Sequence, residues 1–162
     1  KKTNYIQMKK VLSYTLLACM FFMQHLVFAQ QKWKKFKSKD LDYSFELPWN
    51  FNEGAIVAGG IIVYYVDTNM ADVSIFVESG NNETPIDSLF LEHKENYSFI
   101  SREFLQKDYF IISGEENSFG KFYAYEKCVF KNGSPNTLRI FYPKKNKRYM
   151  ETLIPKIGAS FK

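Results

Sequence analysis

The sequence predicts an α+β fold, an antiparallel β-sheet flanked by helices. Three observations carry that expectation. Aromatic and β-branched residues fall in short alternating runs, Gly, Asn and Pro punctuate them, and two amphipathic stretches carry helix signals, one between strands and one closing the chain. Consecutive hairpins with two helices describe an antiparallel α+β sandwich.

Strands are expected over residues 42–47, 56–66, 73–78, 109–113, 119–131 and 137–142, and Ile100, Arg102 and Phe104 alternate as a further short strand. The first helix takes Thr84 as N-cap, Pro85 at its first position and Asp87 in a capping-box-like pattern. Its apolar stripe of Ile86, Leu89, Phe90, His93 and Tyr97 extends it to about Tyr97. A basic second helix opens after Pro143, with Tyr149 or Met150, Leu153, Ile157 and Phe161 facing a sheet. Pro155 removes one of its backbone bonds, so a kink is expected there. Glu115 and Glu116, followed by Asn117, Ser118 and Gly120, read as a hairpin turn, as do residues 67–72.

Residues 1–29 read as a secretory leader, with Lys9 and Lys10 ahead of an apolar run and Val27-Phe28-Ala29 as the cleavage site. Residues 30–162 then form a single domain, periplasmic or extracellular. A membrane span would need about twenty consecutive apolar residues, and Ser13, Tyr14, Thr15, Gln24 and His25 interrupt the run. The alternative is a lipid anchor, because Leu16-Leu17-Ala18-Cys19 resembles a lipobox that would acylate Cys19. Lys1, Lys2, Lys9 and Lys10 leave with the leader, which takes the excess of 22 basic over 17 acidic residues from +5 to +1. A nucleic-acid partner is not expected from such a balance.

The remaining charge is polarised along the chain. Lysines crowd residues 32–39, seven basic residues occupy 139–162 with Glu151 as the one acid, and the intervening stretch is acidic. Lys34, Lys35, Lys37, Lys144, Lys145, Lys147 and Arg148 are therefore candidates for a basic contact patch, facing anionic lipid or an acidic partner if the two ends meet. The plainer reading is that they are solvated ends that keep sheet edges soluble.

Catalytic chemistry finds little support. Past residue 29 the chain keeps one cysteine, Cys128, and one histidine, His93, so it has no intramolecular disulfide, no zinc-type Cys/His cluster and no two-histidine iron or copper site. Phosphate-loop, dinucleotide and nucleophile-elbow glycine patterns are absent. Strand alternation puts Cys128 on the face of Phe122, Ala124 and Phe130, an inert core position, with Lys121, Lys127 and Lys131 on the other face. His93 reads as a half-buried residue of a helix–sheet contact, and residues 67–72 lack the glycine and final glutamate of a calcium loop. No cofactor and no metal are expected. Phe, Tyr and Trp make up 18% of the chain, and Tyr123 with Tyr125, or Tyr64 with Tyr65, are candidates to line a groove.

The segments Tyr43-Ser44-Phe45-Glu46-Leu47-Pro48-Trp49, Tyr109-Phe110-Ile111-Ile112-Ser113-Gly114, Phe122-Tyr123, Leu138-Arg139-Ile140-Phe141-Tyr142-Pro143-Lys144-Lys145 and Ile157-Gly158-Ala159-Ser160-Phe161-Lys162, with the hairpin after Gly59-Gly60 and the helix from Pro85, carry a resemblance. In that order they resemble the PsbP-like superfamily, in particular its small secreted bacterial members, over nearly all of residues 30–162. The resemblance implies an α/β/α sandwich used as a non-catalytic docking or accessory module. Relatives assist photosystem II or bind a small GTPase, and no partner-contact motif here matches theirs residue by residue. The expectation is an exported binding module of the cell envelope, its partner an unidentified protein, glycan or lipid. The alternative is a small hydrolase or isomerase whose carboxylates and tyrosines assemble only in the fold.

Overall fold

In the computed structural model, residues 32–38, 43–57, 61–66, 72–80, 84–117 and 122–162 are described, 53–57 and 61–66 as backbone. Among the described residues nine strands and two helices follow one another as β1 (Trp33–Lys37), β2 (Ser44–Pro48), β3 (Phe51–Val57), β4 (Ile61–Val66), β5 (Ser74–Ser79), α1 (Ile86–Lys94), β6 (Tyr97–Leu105), β7 (Tyr109–Glu116), β8 (Phe122–Lys131), β9 (Ser134–Pro143) and α2 (Lys147–Ser160). A single 3-10 turn, Lys144–Asn146, leads into α2. No helix among the described residues is long and apolar enough to cross a membrane.

β1 and β2 form a two-stranded sheet, and the other seven form an antiparallel sheet in the order β3-β4-β5-β9-β8-β7-β6. The centre is β9, flanked by β5 and β8. Its hairpin with β8 turns at Asn132 and Gly133, with φ of 53° and 81°. Two left-handed residues in succession are what the tight twisted hairpin requires, and Asn-Gly adopts them at least cost.

Alternation along each strand divides the core between the two faces. On one face Phe110, Ile112, Ala124 and Cys128 pack against Leu89 and Phe90 of α1, with Tyr97 beside them. Phe90 meets Phe110 edge-on at 5.6 Å between centroids. On the other face, α2 lies against β8 and β9 and also against β2. Its stripe of Met150, Leu153 and Ile157 is fully buried or nearly so, each such side chain contributing roughly 1.5–3 kcal/mol. The chain end is fastened to β2: Ser44 N–H donates to the Lys162 carbonyl (3.1 Å), Lys162 N–H donates to the Ser44 carbonyl (3.0 Å), and Phe161 packs on Phe45 and Tyr43. One helix on each face of an antiparallel sheet is the predicted α+β sandwich.

Several local expectations need correction. The segment 56–66 is two strands, not one, because β3 and β4 fold back on each other; Gly59 and Gly60 between them lie outside the described residues, as do residues 67–71. β1 was not expected at all. The first helix starts at Ile86 with Pro85 at the capping position and no side-chain cap; Asp87 instead accepts from the Ser88 N–H (3.0 Å). It stops at Lys94, three residues short of Tyr97. Pairing wins there over helical propagation: Tyr97 opens β6 opposite Glu116, and Asn117 ties the turn down through its N–H to the Asn96 carbonyl (2.8 Å) and its side-chain amide to the Glu95 carbonyl (3.1 Å). Glu115 and Glu116 are consequently the end of β7 and not a turn.

Candidate functional site

The C-terminal helix does not cover its whole face of the sheet. α2 runs over β8 and β9, and the strands beyond them, β7 and β6, leave a groove of about 470 Å³ along its flank. The floor is Tyr109, Ile111 and Ser113 of β7, Tyr123, Tyr125 and Lys127 of β8 and Tyr142 of β9, with Ser101 and Arg102 on β6 and Lys147, Glu151, Ile154, Pro155 and Ala159 from α2 as walls. The volume lies within the range of small-molecule sites.

Two glycines permit close approaches beside the groove. A Cβ on Gly158 would lie 2.1 Å from the Tyr125 hydroxyl, so only glycine lets that phenol pass under the helix. A Cβ on Gly114 would lie 1.9 Å from the Phe99 carbonyl oxygen, so β6 closes on β7 there only because the side chain is missing. The pairing of β6 with β7 shifts register at two places, between Tyr97 and Phe99 and between Ile100 and Arg102. Such bulges re-aim side chains at a sheet edge.

Polar groups in the groove differ in how far they are engaged. Lys127 is committed: its ammonium donates to the carbonyls of Gly158 (2.8 Å) and Phe161 (3.0 Å), the free end of α2, and burial pushes its pKa down. Lys147 sits 4.4 Å above the Tyr123 ring and 3.8 Å from Glu151. The Tyr123 hydroxyl donates to Glu115 (2.9 Å), which raises its pKa. Burial pushes the Tyr125 and Tyr142 phenols up to about 12, so both keep their protons at neutral pH. Neither of these two hydroxyls, nor that of Tyr109, nor the Arg102 guanidinium has a hydrogen-bond or ion-pair partner among the described residues.

Of the seven lysines and arginines singled out as a basic patch, Lys147 lines this groove. Lys144, Lys145 and Arg148 surround it at the start of α2, where Lys145 pairs with Asp72. Lys34, Lys35 and Lys37 are exposed on β1, whose partner β2 meets the other end of the helix through Glu46, whose N–H donates to the Ser160 hydroxyl oxygen (2.8 Å). The 14-residue helix thus separates the two halves by roughly 20 Å. Tyr123 and Tyr125 line the groove as foreseen, while the side chains of Tyr64 and Tyr65 lie outside the described residues. Arg102, Tyr109 and Tyr142 were not foreseen, because only the register of β6, β7 and β9 brings them beside β8.

The opposite face holds a buried polar cluster that the sequence did not disclose. Glu126, 2% exposed, accepts from His93 Nδ1 and faces Tyr97 OH (3.5 Å) and Arg139 Nε (3.3 Å). The carboxylate requires the proton of the imidazole on Nδ1, which leaves Nε2 as the free ring nitrogen. Burial, then the charge of Glu126, raises the Tyr97 pKa, so its hydroxyl stays a donor. His93, Arg139, Glu78, Asn96 and Thr137 border a second cavity of about 330 Å³ beneath α1. Cys128 is close by and fully buried, its thiol pushed up to about 12 by burial. Among the described residues no group of three or more metal-ligating side chains occurs.

No family model and no curated protein sequence matches the chain. Solved structures do. Cyanobacterial PsbP (CyanoP) from Synechocystis sp. PCC 6803 superposes with a TM-score of 0.61 at 11% identity, covering 82% of this chain and 92% of that one. A protein from Bacteroides thetaiotaomicron matches at 0.53 and 15%, over 80% of this chain and 47% of its own. LpqN of Mycobacterium tuberculosis, described as involved in cell envelope biogenesis, matches at 0.50 and 14%, over 82% and 90%. At such identities the likeness is one of fold, and with the seven-stranded sheet and its two helices it establishes that the chain has a PsbP-like fold.

Proposed function

We propose that this chain is an exported, non-catalytic accessory module of the cell envelope that holds its ligand in the groove between α2 and the β6–β7–β8 side of the sheet. Residues 1–29 are its leader and 30–162 its working domain, delivered to the periplasm or beyond, with acylation of Cys19 as the alternative that would tether it. The observation that carries the reading is the groove itself: it is lined by phenols and an exposed guanidinium that no described residue pairs. Similarity to CyanoP and to the envelope-biogenesis protein LpqN supports an accessory role. The lysines at the two ends of α2 supply a further contact with an acidic partner or anionic lipid.

Amide NMR spectra of the purified protein, titrated with neutral sugars, acidic sugars, glycerol phosphate and short peptides, test the proposal. The expected result is saturable shifts at Ser101, Arg102, Ser113 and Ala159 with at least one probe, abolished by Ala159→Trp, which plugs the groove from an exposed helix position. Shifts confined to other surfaces would sink it. Intact mass of the exported species separates a chain that starts at Gln30 from one acylated at Cys19.

A second reading, the small hydrolase or isomerase, is favoured by one observation, the Glu126–His93 pair beside the cavity under α1. A carboxylate that orients an imidazole leaves Nε2 as a base. No nucleophile is hydrogen-bonded to His93 among the described residues, and the thiol of Cys128 stays protonated, so the pair serves better as the latch of α1. Turnover of chromogenic esters or glycosides that vanishes in His93→Gln would reverse this order.

A further inference from the structure

Resting on the groove as the ligand site, we infer that its ligand carries a phosphate group, received by Arg102 and the phenols of Tyr125 and Tyr142. The groove is cationic: Arg102, Lys127 and Lys147 face Glu151 as the one acidic residue of its lining. Charge alone would not select a site, because Lys147 is already shared between Glu151 and the Tyr123 ring and Lys127 is bound to the end of α2. What remains is Arg102, whose fork of donors suits an oxyanion and which no carboxylate occupies among the described residues.

The commitment of Lys127 is itself informative. Gly158 and Ala159 place the last turn of α2, with its unpaired carbonyls, along the groove, and those carbonyls would repel an anion. The Lys127 ammonium covers two of them, at Gly158 and Phe161, so the negative end of the helix is neutralised where an anion would enter. The phenols add donors that carry no charge of their own, and their raised pKa values keep them donors well above neutrality.

Geometry favours phosphate over the competing groups. Three of the uncommitted donors are Arg102 on the edge strand and the phenols of Tyr125 and Tyr142 on the floor. A tetrahedral anion turns oxygens toward all three, whereas a carboxylate offers two in one plane and a neutral sugar offers no charge for Arg102. Ile111, Ile154, Pro155 and Ala159 supply apolar walls for the organic part of a phosphate ester.

Glycerol 3-phosphate, inorganic phosphate and glycerol are titrated separately into the wild type, Arg102→Gln and Ala159→Trp, followed by amide NMR, and flotation is run with vesicles rich in phosphatidylglycerol. The two phosphates should shift the Arg102, Tyr125 and Tyr142 signals and glycerol should not. Arg102→Gln, an exposed change that spares the core, should weaken binding about tenfold, and Ala159→Trp should abolish it. Flotation lost in Arg102→Gln identifies a lipid headgroup as the source; glycerol 3-phosphate binding without flotation identifies a soluble ester. Phosphate shifts that centre on Lys34–Lys37 or Lys144–Arg148, or that Arg102→Gln leaves unchanged, overturn the inference. If phosphates fail and a neutral sugar or peptide still binds in a manner Ala159→Trp blocks, the groove reading stands without the phosphate. If no probe perturbs the groove, both fall.

Discussion

Glu126 sits beside the apolar cluster of Ala124, Cys128, Ile112 and Phe110, and its polar neighbours in space are the groups that make this tolerable. His93, Tyr97 and Arg139 come from α1, β6 and β9, so one carboxylate gathers three elements. Removing one member of such a cluster leaves the others buried without a counter-charge, and Glu126→Ala should lower the unfolding free energy by about 3 kcal/mol, read as a fall in the urea midpoint. Glu126→Gln, which keeps the shape and two acceptor lone pairs, should cost less; equal loss from both would mean that volume and not charge matters there. Half of this was legible. Alternation places residue 126 on the Cys128 face, with Phe122, Ala124 and Phe130. The other half was not, since His93 lies 33 residues away in sequence and only the fold brings it near. Cys128, by contrast, is where alternation put it. Cys128→Ser should cost roughly 1–3 kcal/mol through a buried hydroxyl and leave ligand binding intact. Iodoacetamide should label the native thiol only after denaturation, because a thiol held protonated at about 12 is a poor nucleophile at neutral pH. Rapid labelling of the folded protein would contradict the inert-core assignment.

At the scale of elements, α2 shows how a local preference yields to packing. Alanine in place of a helical glycine ordinarily stabilises by about 1 kcal/mol. At Gly158 the added methyl would meet the Tyr125 hydroxyl oxygen at 2.1 Å and its ring carbon at 2.9 Å, inside contact distance. Gly158→Ala should therefore destabilise, by roughly 1–3 kcal/mol, as overpacking does. Combining it with Tyr125→Phe should recover part of that loss, a coupling that a double-mutant cycle of urea midpoints would measure. Additive effects would show that helix and phenol do not touch. The helices were the most legible elements, because the apolar stripe of α2 is continuous from Met150 to Phe161 and Leu89 and Phe90 mark α1. Strand ends were less so. The fold-back of β3 on β4 has its signal in Gly59-Gly60, a turn or bulge candidate inside the run from Ile56 to Val66, which is otherwise apolar enough to read as one strand. β1 escaped because Trp33-Lys34-Lys35-Phe36-Lys37 carries three lysines and pairs only with β2. The Asn132-Gly133 hairpin, the strongest short-range turn signal in the chain, lies between two strands that alternation locates, at 119–131 and 137–142.

Across the whole molecule, the sandwich sets two polar systems on opposite faces of one sheet: the groove beside α2 and the Glu126 cluster under α1. Both depend on phenols or a thiol that burial keeps protonated, and this gives the fold a common alkaline limit. The Cys128 thiol is raised from 9.0 to about 12, and Tyr125 and Tyr142 from 10.0 to about 12, with Tyr97 raised in the same direction. A folded-state pKa above the unfolded value means that the native protein holds its proton more tightly. The associated stability is fully present below the unfolded pKa values and is lost as pH rises through the folded ones. Lys127 works the other way: burial lowers its pKa from 10.5, so the unfolded chain holds that proton longer and stability rises slightly with pH just below that value. One group opposes these four and Tyr123, raised by its bond to Glu115. The urea midpoint should hence be level from neutrality to about pH 9, then fall steadily toward pH 12, with the phenolates of Tyr125 and Tyr142, followed by NMR of their ring carbons, appearing together with unfolding and not before it. Phenolate formation at Tyr125 or Tyr142 in a chain that is still folded at about pH 11 would place these side chains in water, and would remove the neutral donors on which the groove depends.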